Sequence, residues 1–357
     1  MKILIITGTF GMGHIVASNA IKQELQDSYP DADIQILDYI AALFPYVGSV
    51  FYKSYNAVVR NFPEFFNLAI KASDKIDAAP LKHIMSRKLN EAITAFSPDL
   101  IITTTPVSSK YLTYYKVKTK QIPMFTYITD IYCHRQWMST STDAYFVGAE
   151  KLKYFLISKG VSEQNIYVSG VPVRKTFEFD SDDKCADNEI KRVLIMGGGL
   201  GMIPGSDYFL KKLNDAENIR TTVIAGKNKK LYDELREKYK NIDVLGYTEN
   251  VSEYMHKADV IISKPGGMTL FESICCITPM LVIKPELVHE EANARYIEEE
   301  GIGKVVWNDT CDIFTQLKTM LFDEAEYKKM QLNLIKIKKQ RKYNLINEAI
   351  ANCQICS

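Results

Sequence analysis

The chain of 357 residues has no long apolar run, no strong charge of either sign and few cysteines. No apolar stretch approaches the ~18 residues that a membrane-spanning helix requires. The apolar segment after Met1-Lys2 is ended by Gly8, too early for a secretory signal peptide, so we expect a cytoplasmic protein. The formal net charge of +1 provides no general attraction to nucleic acid, and no interleaved run of basic and aromatic residues is present to contact bases.

The cysteines do not have the pattern of a disulfide framework or of a metal site. There are seven, an odd number, and they are scattered along the chain. Cys353 and Cys356 form one CxxC pair near the C-terminus, but a zinc site of this type needs a second pair of ligands. We therefore expect reduced cysteines and no bound metal.

Short apolar segments alternate with helical ones, and this order occurs twice. Residues 2–7 predict a buried parallel strand, followed by a glycine turn and a helix over about 14–27. A strand over 191–196 and a second glycine turn start the order again. Further strands are predicted over 33–38, 99–104, 123–128, 144–147, 222–225, 242–245, 260–263 and 280–283. The sequence thus predicts an α/β protein with doubly wound domains over 1–175 and 190–325 and a basic helical tail over 326–357.

Two segments do not follow this pattern. Residues 39–70 are much richer in aromatic side chains than the 11% of the whole chain, and they contain few acidic residues. They predict either an insertion, over about 39–90, that contacts lipid, or a helical subdomain packed on the sheet. Residues 328–343 alternate basic and apolar side chains, which is typical of a helix on anionic lipid and, more commonly, of a solvated terminal helix.

A cluster of glycines and a histidine marks the first strand-to-helix turn. Gly8, Gly11, Gly13 and His14 should lie at the carboxyl edge of the sheet, where ligands of such folds bind. His14 is therefore a candidate proton acceptor, and a helix-capping role is the alternative. The G-x-x-G-x-G spacing departs from the dinucleotide fingerprint, so NAD binding is not favoured.

A second polar cluster, residues 129–137, follows the strand predicted over 123–128. It should lie at the same edge of the sheet. Asp130 and His134 are candidates to contact an acceptor or to orient His14, and a histidine that only makes loop hydrogen bonds is the alternative for His134.

The second half carries two glycine turns, 197–201 and 263–268. Backbone amides in such turns can approach an anion closely, and the following helix dipole favours negative charge. Thr269 adds a hydroxyl, and the Glu272 carboxylate suits two ribose hydroxyls, although it could instead complement the helix dipole. With the polar cluster at 289–293, these groups predict a nucleoside diphosphate site, which suits sugar transfer. Tyr247, after the strand at 242–245, is a candidate to pack against the nucleotide's base.

In this order, over roughly residues 1–305, the motifs resemble those of glycosyltransferase family 28. The resemblance is carried by the turn ending in His14, 170–174 (Gly-Val-Pro-Val-Arg), 197–201, 264–272 and the Glu290-x-x-Asn293-Ala294 element. Within the family, Thr129-Asp130 with His134, Trp137 and Asp143 is most similar to monogalactosyldiacylglycerol synthases and bacterial processive diacylglycerol glucosyltransferases. The resemblance implies a GT-B fold, in which two Rossmann-like domains face a central cleft. It also implies a UDP-sugar donor, inversion at the anomeric carbon, a diacylglycerol acceptor and peripheral association with anionic lipid on the inner face of the cell membrane.

The resemblance also assigns roles to residues. His14 corresponds to a proposed general base, with Asp130 as a second catalytic candidate, and the acceptor side includes Gly11, Gly13, His134 and Trp137. The donor side comprises Arg174, Gly198, Gly199, Gly201, Tyr247, Gly266, Gly267, Met268, Thr269, Glu272, His289, Glu290 and Asn293. Because amides from two glycine turns and Arg174 can hold the leaving diphosphate, no divalent cation or other cofactor is expected.

The sugar and the acceptor have alternatives. The family usually has Gln at the position of His289 and Pro-Gly at Leu287-Val288. Glucose is favoured and galactose is the alternative. A lipid-linked muramyl pentapeptide or a soluble aglycone is the alternative acceptor, and the long 39–90 segment does not favour the former. A UDP-sugar epimerase-like protein would share the two-domain architecture without transferring a sugar.

Overall fold

The computed structural model describes residues 1–44, 46, 48–75, 82–116, 122–178, 189–197, 206–308 and 312–353. The chain divides into two compact units. The first contains Met1–Arg174 and Arg341–Ser357, and the second contains Lys175–Gln340. The predicted tail over 326–357 is therefore shared between the two units.

The first unit is built on a six-stranded parallel sheet in the order β2-β1-β3-β4-β5-β6. The strands are β1 (Lys2–Thr7), β2 (Asp33–Asp38), β3 (Leu100–Thr103), β4 (Met124–Tyr127), β5 (Ala144–Val147) and β6 (Ile166–Val168). The helices are α1 (Gly13–Ser28), α2 (Tyr39–Leu43), α3 (Gly48–Asn61), α4 (Pro63–Lys75), α5 (Lys82–Phe96), α6 (Pro106–Lys116) and α7 (Glu150–Ser158).

Successive residues of β1 alternate between two helical layers, which explains why its apolar run is continuous. Ile3 and Ile5 pack with Ile21 and Leu25 of α1. Leu4 and Ile6 point to the other face and pack with side chains of α2, α5 and α6. A parallel strand covered on both faces needs apolar residues at every position, as found here.

The second unit also has a six-stranded parallel sheet, in the order β12-β11-β10-β7-β8-β9. Its strands are β7 (Lys191–Met196), β8 (Ile219–Ile224), β9 (Ile242–Leu245), β10 (Val260–Ser263), β11 (Met280–Ile283) and β12 (Gly303–Val306). Its helices are α8 (Asp207–Asn214), α9 (Lys229–Lys238), α10 (Val251–Lys257), α11 (Gly267–Cys275), α12 (Val288–Glu299), α13 (Ile313–Phe322) and α14 (Glu324–Gln340). This strand order is that of the doubly wound nucleotide-binding fold.

The C-terminal segment forms two helices with different partners. The apolar side of α14 is buried at Met330, Leu334 and Ile337, and Met330 belongs to the core of the second unit. The last helix, α15 (Leu345–Asn352), packs on the first sheet through Ile346 and Ile350. The apolar side of the basic helix predicted over 328–343 therefore faces protein rather than lipid.

The aromatic segment forms α2, α3 and the start of α4, and its rings have two kinds of environment. Tyr39 and Tyr52 are buried against the first unit, whereas Phe62 and Phe65 are exposed. Across the described ranges, no helix has both the length and the apolar character needed to cross a bilayer.

Candidate functional site

Each unit has a point at which the strand order reverses. In the first unit the chain goes from β1 to β2 on one side and later returns to β3 on the other. In the second unit the reversal lies between β7 and β10. Ligands of doubly wound sheets bind outside the carboxyl ends of the strands at such points. The glycine turns predicted from the sequence follow β1, β7 and β10, so they lie at the two reversal points.

His14 lies in the first turn of α1, directly after the first glycine turn. Its Nδ1 is 3.2 Å from the Oγ1 of Thr129, a buried residue that follows β4. The imidazole centroid is 6.3 Å from that of Trp137, also buried. Gly11, with φ of +75°, provides the left-handed turn that precedes the helix. The structure thus brings together His14 and Trp137, which were predicted as site residues, and Thr129, which was predicted only as part of the motif at 129–137.

The backbone of this first helical turn is tied to the sheet by hydroxyl groups. Ser18 Oγ donates a hydrogen bond of 2.9 Å to the His14 carbonyl oxygen and lies 3.0 Å from Thr104 Oγ1. Thr104 in turn donates to Thr7 Oγ1 at 2.8 Å. All three hydroxyl residues are buried, so the start of α1 is fixed relative to β1 and β3. Sequence reasoning missed these residues, although polar side chains at the ends of two buried strands were an available signal.

The other predicted residues of the first unit lie on the loop that includes Thr129. Asp130 is half-buried. The pKa of the Tyr55 phenol is raised, mainly by the burial of Tyr55 and secondly by the negative charge of Asp130. Asp130 therefore lies near α3. His134 is buried, and its ring centroid is 5.8 Å from that of Tyr132.

The second unit presents the N-terminus of α11 at its reversal point. Gly266 is the N-cap residue, with φ of −67° and ψ of 146°. A Cβ built on it would meet no described atom beyond its chain neighbours within 4 Å, so the space above this helix end is open. Gly267 and Met268 are buried, Thr269 is half-buried and Glu272 is only 6% exposed. Amides at a helix N-terminus, with the helix dipole, suit an anion such as a diphosphate.

The first turns of α12 hold the loop that leads into α11. Asn293 Nδ2 donates to the Pro265 carbonyl oxygen at 2.7 Å. Glu290 Oε1 is 3.8 Å from the Lys264 ammonium, and Glu290 Oε2 accepts the Leu287 N–H at 3.4 Å. Two residues predicted to contact the sugar therefore also support the loop at 264–268. His289 lies in the same helical turn and is half-buried.

The remaining donor residues are placed as follows. Met196 and Ser263 are register partners, so β7 and β10 end side by side. Gly198, Gly199 and Gly201, predicted in the first of these turns, lie outside the described residues. Tyr247 is 63% exposed, and the Lys227 ammonium lies 5.4 Å from its ring centroid. Arg174 is half-buried at the end of the first segment of the first unit.

The described part of the chain contains no group of three or more His, Cys, Asp or Glu side chains placed to hold a metal ion. The first two turns of α11 provide backbone amides, a threonine hydroxyl and a buried carboxylate, and the space around a Cβ at Gly266 is open. These groups match the phosphates and ribose of a nucleotide.

Solved structures define the class of protein. MurG of Acinetobacter baumannii superposes with a TM-score of 0.64, covering 99% of each chain at 15% identity. The UDP-GlcNAc 2-epimerase of Neisseria meningitidis, bound to UDP-GlcNAc, gives a TM-score of 0.61, covering 99% of this chain and 100% of the other at 17% identity. At these identities the likeness concerns the fold alone. The predicted α/β fold of GT-B type is confirmed.

Sequence comparison defines the family. Residues 14–173 match the family model of monogalactosyldiacylglycerol (MGDG) synthase, and residues 192–348 match the C-terminal domain of glycosyltransferase family 28. The processive diacylglycerol beta-glucosyltransferase of Staphylococcus aureus strain Newman is 31% identical, over 85% of this chain and 81% of the relative. The chain therefore belongs to glycosyltransferase family 28, and the prediction of a glycosyltransferase is confirmed.

Proposed function

We propose that the protein transfers glucose from UDP-glucose to diacylglycerol, and onward to glucosyl-diacylglycerol, at the surface of a membrane. The observation that carries the proposal is the 31% identity to processive diacylglycerol beta-glucosyltransferases over 81% of their length. The MGDG synthase match over 14–173 independently supports diacylglycerol as the acceptor. Since that family is named for galactose, UDP-galactose is the alternative donor.

The proposed reaction is a single displacement with inversion. The acceptor hydroxyl oxygen attacks C1 of the sugar, the bond from C1 to the diphosphate oxygen breaks, and UDP leaves from the opposite face. His14 accepts the hydroxyl proton. His14 Nδ1 lies 3.2 Å from Thr129 Oγ1; in the tautomer in which Nδ1–H donates to this hydroxyl, Nε2 is the basic nitrogen. A general base of this kind accelerates a reaction by about 100- to 10,000-fold.

The second unit holds the donor in this proposal. The amides at the start of α11 and the Thr269 hydroxyl bind the diphosphate, and Glu272 accepts from the ribose hydroxyls. The sequence predicts further amides from the turn that contains Gly198, Gly199 and Gly201. Fixed donors of this kind stabilise the charge that develops on departing UDP, so catalysis without a divalent cation follows.

A surface on α3 and α4 supports membrane association. Apolar side chains are exposed there, and we call them the apolar face: Val50, Phe51, Val58, Phe62, Phe65 and Leu68. Lys53, Arg60 and Lys71 on the same two helices are exposed as well. Apolar residues flanked by basic ones suit the surface of a bilayer with anionic lipids. The acceptor lies in that bilayer, so the face would bring the first unit to its substrate.

The deciding experiment is a transfer assay with purified protein and diacylglycerol in anionic liposomes. UDP-glucose, UDP-galactose and UDP-GlcNAc are supplied separately, and products are resolved by thin-layer chromatography and mass spectrometry. We expect glucosyl-diacylglycerol and its further glucosylated product from UDP-glucose. Transfer only to a lipid-linked muramyl pentapeptide, or interconversion of UDP-GlcNAc without an acceptor, would refute the proposal and leave the fold assignment intact.

A further inference from the structure

We propose that Asp38 is a positioning residue for the transfer reaction, because its carboxylate fixes the glycine turn that leads into His14. The inference rests on the proposed function, in which His14 is the base. It concerns a residue to which the sequence analysis assigned no role. Asp38 is the last residue of β2 and pairs with Thr7, the last residue of β1.

One carboxylate oxygen of Asp38 holds the turn itself. Oδ2 accepts a hydrogen bond of 2.6 Å from Thr9 Oγ1 and one of 3.2 Å from the Thr9 backbone N–H. Thr9 is the second residue after β1 and lies five residues before His14. Both the side chain and the backbone of the turn are therefore anchored to the neighbouring strand.

The other oxygen ties the same carboxylate to the helices that follow β2. Oδ1 accepts the backbone N–H groups of Ile40 and Ala41, at 3.1 and 3.0 Å, and thereby caps α2. It also accepts the Tyr52 hydroxyl of α3 at 2.6 Å. Burial and then the bond to Asp38 raise the pKa of the Tyr52 phenol, so it stays protonated and donates at any working pH. Five donors thus fix the carboxylate, and bonds to a charged acceptor are the stronger kind.

The glycine turn needs such a restraint. Gly8, Gly11 and Gly13 leave its backbone with wide conformational freedom, and Gly11 adopts a positive φ of 75°. Thr129 contacts the His14 imidazole at one end of the turn. The hydrogen bonds from Thr9 to the Asp38 carboxylate restrain the backbone at the other end. A displacement of about 1 Å at a reacting group can cost roughly 100-fold in rate.

The neighbouring residue of the turn is held by the same helix that contacts Asp38. The ring centroid of Phe10 is 4.9 Å from that of Tyr55 and 5.3 Å from that of Tyr52, both edge-on. The two consecutive residues Thr9 and Phe10 are therefore fixed by α3, one through the Asp38 carboxylate and one through aromatic rings. Asp38 connects this helix, the end of β2 and the catalytic turn.

Thr9→Val is the variant that tests the proposal. Asp38→Asn also weakens the cap of α2 and can therefore destabilise the fold. Thr9→Val leaves that cap in place, keeps the shape of the side chain and removes the hydroxyl that bonds Asp38 at 2.6 Å. We expect kcat to fall roughly 10- to 100-fold while KM for the UDP-sugar changes less than about twofold. Thr9→Ser retains the hydroxyl and should restore kcat to within about threefold of the wild type.

Thr315→Val is the matched control. Thr315 Oγ1 donates to Asp312 Oδ2 at 2.8 Å at the N-cap of α13, in the second unit, so the same kind of bond is removed away from the turn. Melting temperature and hydrogen exchange by mass spectrometry are measured on all variants. We expect faster exchange of the peptide spanning 8–14 in Thr9→Val, and unchanged exchange there in Thr9→Ser and Thr315→Val.

The outcomes separate this inference from the proposed function. Absence of transfer by the wild-type protein refutes the proposed function. Transfer by the wild type together with a Thr9→Val kcat equal to that of Thr315→Val refutes the role of Asp38. Two other results for Thr9→Val would also refute the role of Asp38: a rise in KM for the UDP-sugar without a fall in kcat, or unchanged hydrogen exchange of the peptide 8–14.

Discussion

Replacing Gly266 with alanine is expected to weaken UDP binding roughly 10- to 100-fold and to leave the fold nearly as stable. The added Cβ meets no described atom beyond the chain neighbours within 4 Å, and φ of −67° is allowed for alanine. Alanine is a poorer N-cap than glycine, which costs about 1 kcal/mol or less. For a unit of this size, such a loss lowers the melting temperature by about 2–4 °C.

The loss of UDP affinity follows from where the new methyl group lies. No described atom beyond the chain neighbours lies within 4 Å of it, and in the proposed site the diphosphate occupies the space beside this N-cap residue. Hydrogen bonds to a charged acceptor contribute about 1.5–3 kcal/mol each, and every 1.4 kcal/mol corresponds to about tenfold in affinity. Titration calorimetry with UDP measures the loss, and uridine, which has no phosphate, is the control ligand. Unchanged UDP binding by Gly266→Ala, or an equal loss for uridine, would refute this placement of the diphosphate.

Three further predictions concern catalysis, the membrane and metals. His14→Ala should lower kcat about 100- to 10,000-fold and leave UDP binding unchanged in calorimetry; a smaller effect would exclude His14 as the base. The double change Phe62→Ser and Phe65→Ser should weaken pelleting with anionic liposomes at least about tenfold, because each ring contributes about 1.5–3 kcal/mol when buried. Leu332→Ser on α14, a side chain 57% exposed, is the control and should pellet like the wild type. A chelator in the transfer assay should leave the initial rate unchanged, and loss of turnover that added Mg²⁺ restores would contradict a metal-independent mechanism.

Most strands could be predicted because a parallel strand covered on both faces requires a continuous apolar run. The bounds predicted for β1, β2, β7 and β10 coincide with those of the structure. Two strands at sheet edges, β6 and β12, were missed. They have only three and four residues and are half-buried at most positions, so their apolar runs are too short to indicate a strand. In β8 the structure begins three residues before the prediction, at Ile219, because polar residues within the strand obscure its start.

The sequence predicted which turns form the candidate site, because their position after a strand determines it, but not which side chains contact those turns. Turns after strands in a parallel sheet necessarily share one edge, which located His14, Gly266 and their neighbours. The partners of these residues depend on tertiary contacts: Thr129 is 115 residues from His14 in sequence, and Asp38 is 29 from Thr9. The sequence contains no local signal for such pairs.

Amphipathic helices show a second limit of sequence reasoning. The spacing of apolar residues in α14 predicts that one side of the helix is buried, but it does not indicate whether protein or lipid covers that side. In the structure Met330, Leu334 and Ile337 are covered by protein. The apolar face on α3 and α4 has the opposite arrangement, with Phe62 and Phe65 about two-thirds exposed. Of these two surfaces, the second is the one whose large apolar side chains are mostly exposed.

Each unit contains a glycine turn whose backbone is restrained by a polar side chain from outside the turn. Glycine turns allow backbone amides and a following helix to approach a substrate, but their freedom opposes the fixed geometry that catalysis requires. In each unit a polar side chain from outside the turn removes that freedom: Asp38 holds Thr9 in the first, and Asn293 holds the Pro265 carbonyl in the second. Each anchor is itself fixed, Asp38 by the α2 cap and Tyr52, and Asn293 by complete burial on α12. Both turns are therefore restrained by side chains that lie outside them, so substitutions at Asp38 or Asn293 should impair transfer through the position of the turn, in addition to any loss of the donor contact predicted for Asn293.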